Sequence, residues 1–263
     1  MLVALAAAAI AFVWLAFPAC GCAEPRYEGP TPMTAVIVDQ LQSTSPDPEF
    51  INDATRMLQD AGYTVDYVSG KDVTVDYYRE LPSKGYGLVI VRAHSGFVLR
   101  GPNDTEPQEP FLFSSEPYSD DAHAGDQASR RLSVAYYLDT NLGEVEGDPE
   151  ELLERYRNEP RYFGIKPAFV ASSMNGAFPG STIVLMGCSG LSTDELAQAF
   201  VDKGARTVVG WDDLVSAQHT DDATERLLER MLAAGLPTAE AVAATAAEAG
   251  ADPTYGGRLV YYE

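Results

Sequence analysis

The sequence is poor in basic residues, and in lysine above all. Its 263 residues include 18 Lys+Arg against 39 Asp+Glu, which gives a formal net charge of −21. Nucleic-acid binding requires clustered Lys and Arg to neutralise phosphates, so this balance argues against a nucleic-acid partner and against an anionic membrane surface. A cationic substrate or a saline environment suits it better.

Cysteine is scarce as well. Cys20 and Cys22 lie in an N-terminal leader, and Cys188 is the one cysteine in the body of the chain. A single body cysteine excludes an internal disulfide framework and a cysteine-based zinc site there. Cys188 is therefore either a small buried hydrophobe or a reactive thiol.

Several catalytic motifs are missing. The sequence has no P-loop, no dinucleotide-binding Gly-x-Gly-x-x-Gly and no His-Glu-x-x-His. Cys188-Ser189-Gly190 does not form a Gly-x-Ser-x-Gly elbow, which disfavours a serine hydrolase. Asp120–His123 with Asp126 supplies oxygen ligands for a cation, but such a cluster is more typical of an exposed acidic loop. We expect neither a metal nor a cofactor.

A long apolar run opens the chain. Residues 2–19 carry no charge, and a linker containing proline and glycine follows over 24–33. This is the length of a short membrane span and the shape of the apolar part of a secretory signal. We expect residues 1–23 to be a signal peptide or a membrane or lipid anchor. The domain then lies outside the cytoplasm, secreted or anchored, and meets the membrane only through this segment.

Apolar, β-branched runs alternate with segments of helical spacing along residues 34–263. Strands are predicted at 34–39, 63–68, 87–93, 182–186, 207–210 and 257–262, and helices at 46–61, 72–81, 193–203, 220–234 and 239–249. The alternation predicts an α/β domain with a mostly parallel sheet and helices on both faces.

Residues 97–180 do not follow this alternation. The segment is too long for a plain connection, so we expect an insertion over one edge of the sheet. Its aromatic runs predict short strands at 111–113, 134–138 and 162–169. One further helix is expected at 148–158.

Two chemically competent residues each follow a buried strand. His94 comes after 87–93 and Cys188 after 182–186, each with a glycine within two residues. Open α/β sheets bind ligands at the carboxyl ends of their strands, and neighbouring strands lie about 4.8 Å apart. A nearby imidazole activates a thiol. We predict Cys188 as nucleophile and His94 as its acid/base partner, with the N–H groups of Cys188 and Gly96 as an oxyanion hole. The alternative is a packing cysteine and a turn histidine.

This order of motifs resembles the caspase-like cysteine peptidases (clan CD: caspases, gingipains, separases and CHAT domains). A strand ending in His near Gly precedes a strand ending in Cys-x-Gly, and Leu196–Phe200 with Gly204–Trp211 is similar to the gingipain and CHAT pattern. The resemblance covers about residues 34–262. It implies a three-layer sandwich in which a His94/Cys188 dyad hydrolyses peptide bonds, with a peptide or protein as substrate.

The resemblance also implies a substrate pocket lined by Trp211, Asp212 and Asp213, whose acidity would favour Arg or Lys side chains. Two features depart from the family pattern: Ser95 separates the histidine from its glycine, and the stretch between His94 and the cysteine is long. They leave a second interpretation open, a catalytically inactive caspase-like domain that binds peptides or proteins at the cell surface.

His219 provides a third interpretation. In glutamine-amidotransferase-like enzymes the base follows the nucleophile, so His219 would serve Cys188, but those enzymes use Gly-x-Cys-x-Gly and residue 186 is Met. The sequence around it, His219-Thr220-Asp221-Asp222, is more typical of a helix start, with Thr220 or an aspartate as N-cap.

Overall fold

The structure is a computed structural model of the chain, and it describes residue 29 and residues 31–98, 109–137 and 158–263. The leader expected at 1–23, most of the linker at 24–33 and nearly all of the helix expected at 148–158 lie outside these ranges. No helix within them is long and apolar enough to cross a membrane.

The strands, in chain order, are β1 (Thr34–Asp39), β2 (Thr64–Ser69), β3 (Leu88–Arg92), β4 (Ser95–Phe97), β5 (Pro110–Pro117), β6 (Leu132–Tyr136), β7 (Arg161–Ile165), β8 (Thr182–Leu185), β9 (Thr207–Trp211) and β10 (Leu259–Tyr262). The α-helices are α1 (Pro48–Asp60), α2 (Val75–Glu80), α3 (Ala124–Ala128), α4 (Pro167–Ser173), α5 (Glu195–Asp202), α6 (Ala217–Leu228) and α7 (Thr238–Ala249). A π-helical turn, Glu229–Ala233, follows α6, and 3₁₀ turns lie at Gln40–Ser43, Gly70–Asp72 and Pro82–Lys84.

A six-stranded sheet with the order β10-β9-β8-β3-β1-β2 forms the centre of the molecule. Neighbouring strands are parallel except for β10, which runs antiparallel to β9. The predicted α/β class and mostly parallel sheet are confirmed.

Both faces of this sheet are covered, as the continuous apolar strands predict. In β1, Val36 and Val38 belong to one hydrophobic core, whereas Ala35 and Ile37 belong to the other. The first core is closed by side chains of α2, α4 and α5, and the second by side chains of α1, α6 and α7. Each fully buried aliphatic side chain contributes about 1.5–3 kcal/mol to the free energy of folding, so the domain needs both helical layers for its stability. The chain is a three-layer α/β/α sandwich.

The insertion carries a second, antiparallel sheet with the order β4-β5-β7-β6. Its side chains Leu112, Leu132, Phe163 and Ile165 join the first core of the central sheet. The run predicted as a strand at 162–169 divides into β7 and α4, because Pro167 stands at the first position of a helix, where its missing N–H costs nothing. This sheet lies beside the turn that carries His94, since β4 begins at the next residue.

The helix predicted at 220–234 begins three residues earlier, at Ala217. Asp252 explains the shift, because its carboxylate accepts the N–H and the hydroxyl of Ser216 at 2.9 and 2.7 Å and so fixes the chain just before the helix. Thr220 is consequently buried inside the helix and is not its N-cap. Its hydroxyl accepts the indole N–H of Trp211 at 2.9 Å.

Candidate active site

His94 and Cys188 lie at the same edge of the central sheet. Strands β3 and β8 are neighbours and run parallel, with Val91 opposite Leu185. His94 follows the end of β3 and Cys188 the end of β8, so both turns emerge at carboxyl ends of adjacent strands. Ligands bind at this edge in open α/β sheets.

The two turns touch directly. The hydroxyl of Ser95 donates a hydrogen bond to the backbone carbonyl of Cys188. Gly187 permits this approach, since a Cβ there would collide with the carbonyl of Ala93 and the side chain of Ser95. The histidine turn occupies the space that a side chain at position 187 would need. This explains why the residue before the candidate nucleophile is glycine.

His94 is held by residues from two other elements. Its backbone N–H donates to Oε1 of Gln40 at 3.0 Å, and its ring atom Nε2 lies 3.3 Å from the hydroxyl oxygen of Thr44. The rings of Tyr137 and Phe113 pack edge-on against the imidazole at centroid distances of 5.0 and 5.8 Å. The side chain is thus bounded by an aromatic wall from the second sheet and by the turn after β1.

This environment favours a neutral imidazole. Burial, assisted by the positive charge of Arg92, lowers the pKa of His94 from 6.5 to about 4. At neutral pH the ring is uncharged and carries one free nitrogen lone pair, which a general base requires.

Cys188 is half-buried and has different neighbours. Its sulfur lies 3.4 Å from the carbonyl oxygen of Val215, and the N–H of Val215 donates to the sulfur at 3.5 Å. Burial raises the pKa of the thiol, and the carboxylates of Asp252 and Asp213 raise it further, against the opposing effect of the Val215 N–H. The thiol is therefore protonated at neutral pH.

The thiol and the imidazole are close in the fold but have separate hydrogen-bond partners. Within the described part of the chain, the sulfur of Cys188 is bonded to Val215 and Nε2 of His94 to Thr44. A preformed thiolate–imidazolium pair is not the state of this structure. Proton transfer between the two groups requires the sulfur to leave Val215.

The two predicted oxyanion donors differ in their availability. Among the described residues the N–H of Cys188 has no carbonyl acceptor, and it lowers the pKa of its own thiol. Gly96 lies opposite Phe111 between the hydrogen-bonded pairs at 94/113 and 98/109. Hydrogen-bonded and non-hydrogen-bonded pairs alternate along an antiparallel ladder, so Gly96 and Phe111 also form a hydrogen-bonded pair. The N–H of Gly96 is therefore directed at the backbone carbonyl of Phe111. Of the two predicted donors, the Cys188 amide is the one without a carbonyl acceptor among the described residues.

The three predicted pocket residues are placed differently from one another. Trp211 is 1% exposed and belongs to the second core, so it does not line a cleft. Asp212 accepts the N–H of Arg258 at 2.6 Å. Asp213 is exposed, and its backbone carbonyl accepts the N–H of Ser189 at 2.8 Å. Asp213 is the member of this group that lies against the cysteine turn.

Ser189 has an unusual backbone conformation. Its φ is +53°, in the left-handed region that non-glycine residues rarely occupy. This left-handed residue comes directly after the candidate nucleophile, and its N–H donates to the backbone carbonyl of Asp213. Strain of this kind is held in place by the surrounding contacts and clusters at functional sites.

A cleft of about 420 Å³ lies beside Arg92, the residue whose charge lowers the pKa of His94. It is lined by Ser45, which follows the Thr44 that contacts His94, and by Ala217, which lies two residues after the Val215 that contacts Cys188. Six carboxylates line it, namely Asp47, Glu49, Asp53, Asp221, Asp222 and Glu225. Arg92 at its wall is paired with Asp221 and Asp39, so the other five lining carboxylates leave the cleft with a negative charge.

Arg92 is the centre of a buried ion network beneath the cleft. It is 0% exposed, and its guanidinium bonds Asp221 at 2.8 and 2.7 Å, Asp39 at 2.9 Å and the carbonyl of Ser45 at 2.8 Å. Although burial lowers its pKa, the two carboxylates raise it above the usual value, so the charge persists. The network joins β1, β3 and α6 at the edge of the sheet that carries the dyad.

The remaining candidate residues lie elsewhere. His219 packs against Trp211 at a ring distance of 5.3 Å, and its buried Nε2 has no hydrogen-bond partner among the residues that the structure describes. His123 bonds Glu116 at 2.7 Å, and Asp126 bonds Arg79 at 2.9 Å. These side chains are therefore engaged with other partners, and across the described ranges no three His, Cys, Asp or Glu side chains are placed to hold a metal.

Comparison with known proteins adds little. No protein-family model matches the chain, and no curated protein matches it. Among solved structures, a flavodoxin of Streptococcus pneumonia TIGR4 aligns with a TM-score of 0.32 at 13% identity, over 77% of this chain and 99% of that one. A likeness at this level carries no argument about the fold or the function.

Sequence reasoning missed the residues that surround the dyad. Gln40 and Thr44 follow β1, and Val215 follows β9, so each lies at the same sheet edge as the dyad. The available signal for Gln40 was its polar side chain directly after an apolar strand, whereas Thr44 lies five residues beyond that strand and had no such signal. Val215 acts through its backbone and left no signal in the sequence.

Proposed function

We propose that this protein is an exported or membrane-anchored cysteine endopeptidase in which Cys188 is the nucleophile and His94 the acid/base. The supporting observation is that both residues lie on turns at the carboxyl ends of adjacent parallel strands, and that Ser95 joins the two turns. The resemblance of the sequence to caspase-like peptidases points to the same pair.

The reaction proceeds in two steps. The sulfur of Cys188 attacks the scissile carbonyl carbon while its proton passes to His94, and the N–H of Cys188 binds the carbonyl oxygen as it becomes an oxyanion. The intermediate collapses to a thioester as the amine leaves with the proton from His94. Water, deprotonated by His94, then attacks the thioester and regenerates the thiol.

In the free protein both pKa shifts oppose proton transfer, because the pKa of the His94 imidazole is lowered to about 4 and that of the Cys188 thiol is raised. The scheme therefore requires a peptide complex in which the thiol and the imidazole are in contact. Substrate binding along residues 211–215 supplies the movement that is needed, because Val215 holds the sulfur in the free protein. Displacement of Val215 by the peptide brings the thiol to the imidazole.

The acidic cleft supports a cationic substrate. Two of its lining residues, Ser45 and Ala217, lie within two residues of Thr44 and Val215 in the chain, and the chain as a whole carries a net charge of −21. A peptide with Arg or Lys side chains is attracted to this surface, whereas an acidic peptide is repelled. Residues 1–23 would place the enzyme outside the cytoplasm, secreted or anchored.

A second function is a catalytically inactive domain that binds peptides or proteins at the cell surface. The observation in its favour is that the Cys188 thiol is bonded to Val215, with a raised pKa, instead of to His94. In this case the cleft binds its ligand and no bond is broken. A third, a thiol hydrolase that uses His219, has less support, since the contacts of His219 are with Trp211.

The rate of alkylation of Cys188 distinguishes these functions. Iodoacetamide labelling of the full-length protein is followed from about pH 5 to about pH 9, and is read on the peptide that contains Cys188, so that Cys20 and Cys22 do not contribute. His94→Ala and His219→Ala are compared with the unmodified protein. A cationic peptide is added to one series to displace Val215.

The peptidase is supported by rapid labelling with a lowered apparent pKa, in the free or the peptide-bound protein, that is lost in His94→Ala and kept in His219→Ala. Slow labelling, alike in all three proteins with and without peptide, overturns it in favour of the binding domain. If rapid labelling is lost in His219→Ala and kept in His94→Ala, the third function is supported.

A further inference from the structure

The turn after β1 holds His94 at two points. Gln40 is 1% exposed and uses both ends of its amide: Oε1 accepts the N–H of His94 at 3.0 Å, and Nε2 donates to the hydroxyl of Tyr137 at 2.7 Å. The Tyr137 ring packs on the imidazole. A single buried side chain therefore fixes the backbone of His94 and one wall of its ring.

Thr44 contacts the imidazole itself. Its Oγ1 lies 3.3 Å from Nε2 of His94, and it also lies 3.5 Å from the carbonyl oxygen of Leu41. A hydroxyl has one hydrogen and can accept with its lone pairs, while a carbonyl can only accept. If the hydroxyl hydrogen of Thr44 is directed to the carbonyl of Leu41, then Nε2 of His94 must be the donor in its contact with Thr44.

We propose that Thr44 is a positioning residue that accepts the Nε2–H of His94 and thereby leaves Nδ1 as the basic nitrogen of the site. Its consequence for catalysis rests on the proposed function. In the opposite tautomer the Thr44 hydroxyl would cap the lone pair that has to receive the proton of Cys188. The turn after β1 thus selects which nitrogen of the base is free.

The tautomer of His94 is measurable by ¹⁵N NMR of the full-length protein, independently of any activity. The chain has 3 histidines, so His123→Gln and His219→Gln complete the assignment. We expect the Nε2–H form in the unmodified protein, a mixture of tautomers in Thr44→Val, and the original form in Thr44→Ser. Thr44 is exposed, so these variants leave the core intact. Ser43→Ala removes a neighbouring exposed hydroxyl and is the matched control.

The chemical consequence is measured as the rate of Cys188 alkylation at neutral pH. Loss of one orienting hydrogen bond lowers the rate roughly three- to tenfold in Thr44→Val. Thr44→Ser and Ser43→Ala keep the original rate. A residue with a merely structural role would not give this combination of a spectroscopic change and rescue by serine.

An Nδ1–H tautomer in the unmodified protein, or an unchanged tautomer in Thr44→Val, overturns the inference. If the tautomer behaves as expected but labelling does not depend on His94, the proposed peptidase fails while the positioning role of Thr44 is supported. The two failures are therefore separable.

Discussion

The hydroxyl of Ser95 donates a hydrogen bond to the backbone carbonyl of Cys188. Ser95 stands between His94 and Gly96, and it links the histidine turn to the cysteine turn. It therefore has a structural role at the candidate site.

Removal of this link is the first prediction. Ser95→Ala leaves the Cys188 carbonyl without its donor, so we expect the free energy of unfolding to fall by about 1 kcal/mol and Cys188 to be alkylated faster as its turn loosens. Urea unfolding and iodoacetamide labelling measure the two effects. Ser192→Ala is the control, because its hydroxyl bonds Ser189 within the same turn and does not cross to β3. Equal effects of the two substitutions would contradict the link.

The second prediction concerns the titration of His94. Its pKa is lowered to about 4 by burial and by Arg92, so below the unfolded value of 6.5 the unfolded chain takes up a proton that the folded chain does not. The contribution of His94 to stability is complete above about pH 6.5 and is lost as the pH falls to about 4. The imidazole resonances of His94 should titrate near the lower value, and His94→Gln should flatten this part of the stability curve. A midpoint near 6.5 would exclude the buried environment.

The third prediction tests the ion network of Arg92. Asp221→Asn removes one charge of a bidentate contact and leaves Arg92 partly uncompensated, so the free energy of unfolding should fall by about 3 kcal/mol. Asp222→Asn is the matched control, since Asp222 is the next residue but is exposed. It should be neutral within about 0.5 kcal/mol. Thermal unfolding of both variants provides the comparison.

The fourth prediction concerns repulsion within the acidic cleft. Burial raises the pKa of Glu225, and Asp53 and Asp222 raise it further, so its charged form is disfavoured in the folded chain. Glu225→Gln should stabilise the protein at neutral pH by a few tenths of a kcal/mol, and the gain should shrink in about 1 M salt. Glu248→Gln should have the opposite sign, because Glu248 pairs with Arg226 and Arg230. Denaturant unfolding at low and high salt measures both.

The sequence was sufficient for the central sheet because its strands carry a local signal. Buried parallel strands such as β1, β3 and β8 are short, continuous apolar runs, and their alternation with helices predicts the layer order. The placement of His94 and Cys188 after two of these strands follows from the same pattern. Their adjacency required the additional fact that β3 pairs with β8.

The rest depended on interactions between distant segments. The second sheet unites strands separated by most of the insertion, and short aromatic runs alone do not determine their pairing. The resemblance to caspase-like peptidases implied that Trp211 lines a pocket, whereas its side chain lies in the second core and its indole N–H donates to Thr220. The contact of Val215 with the thiol is made by backbone atoms, so the residue type at position 215 does not indicate it.

The pairing of β3 with β8 also has a consequence for the order of folding. The two strands are hydrogen-bonded neighbours in space, yet the whole insertion separates them along the chain. Closing so long a loop is entropically costly, and contacts of this kind form late. We therefore expect the cysteine turn to reach its final place after the local helices and hairpins have formed, so the environment of its thiol depends on a long-range pairing and not on its own segment.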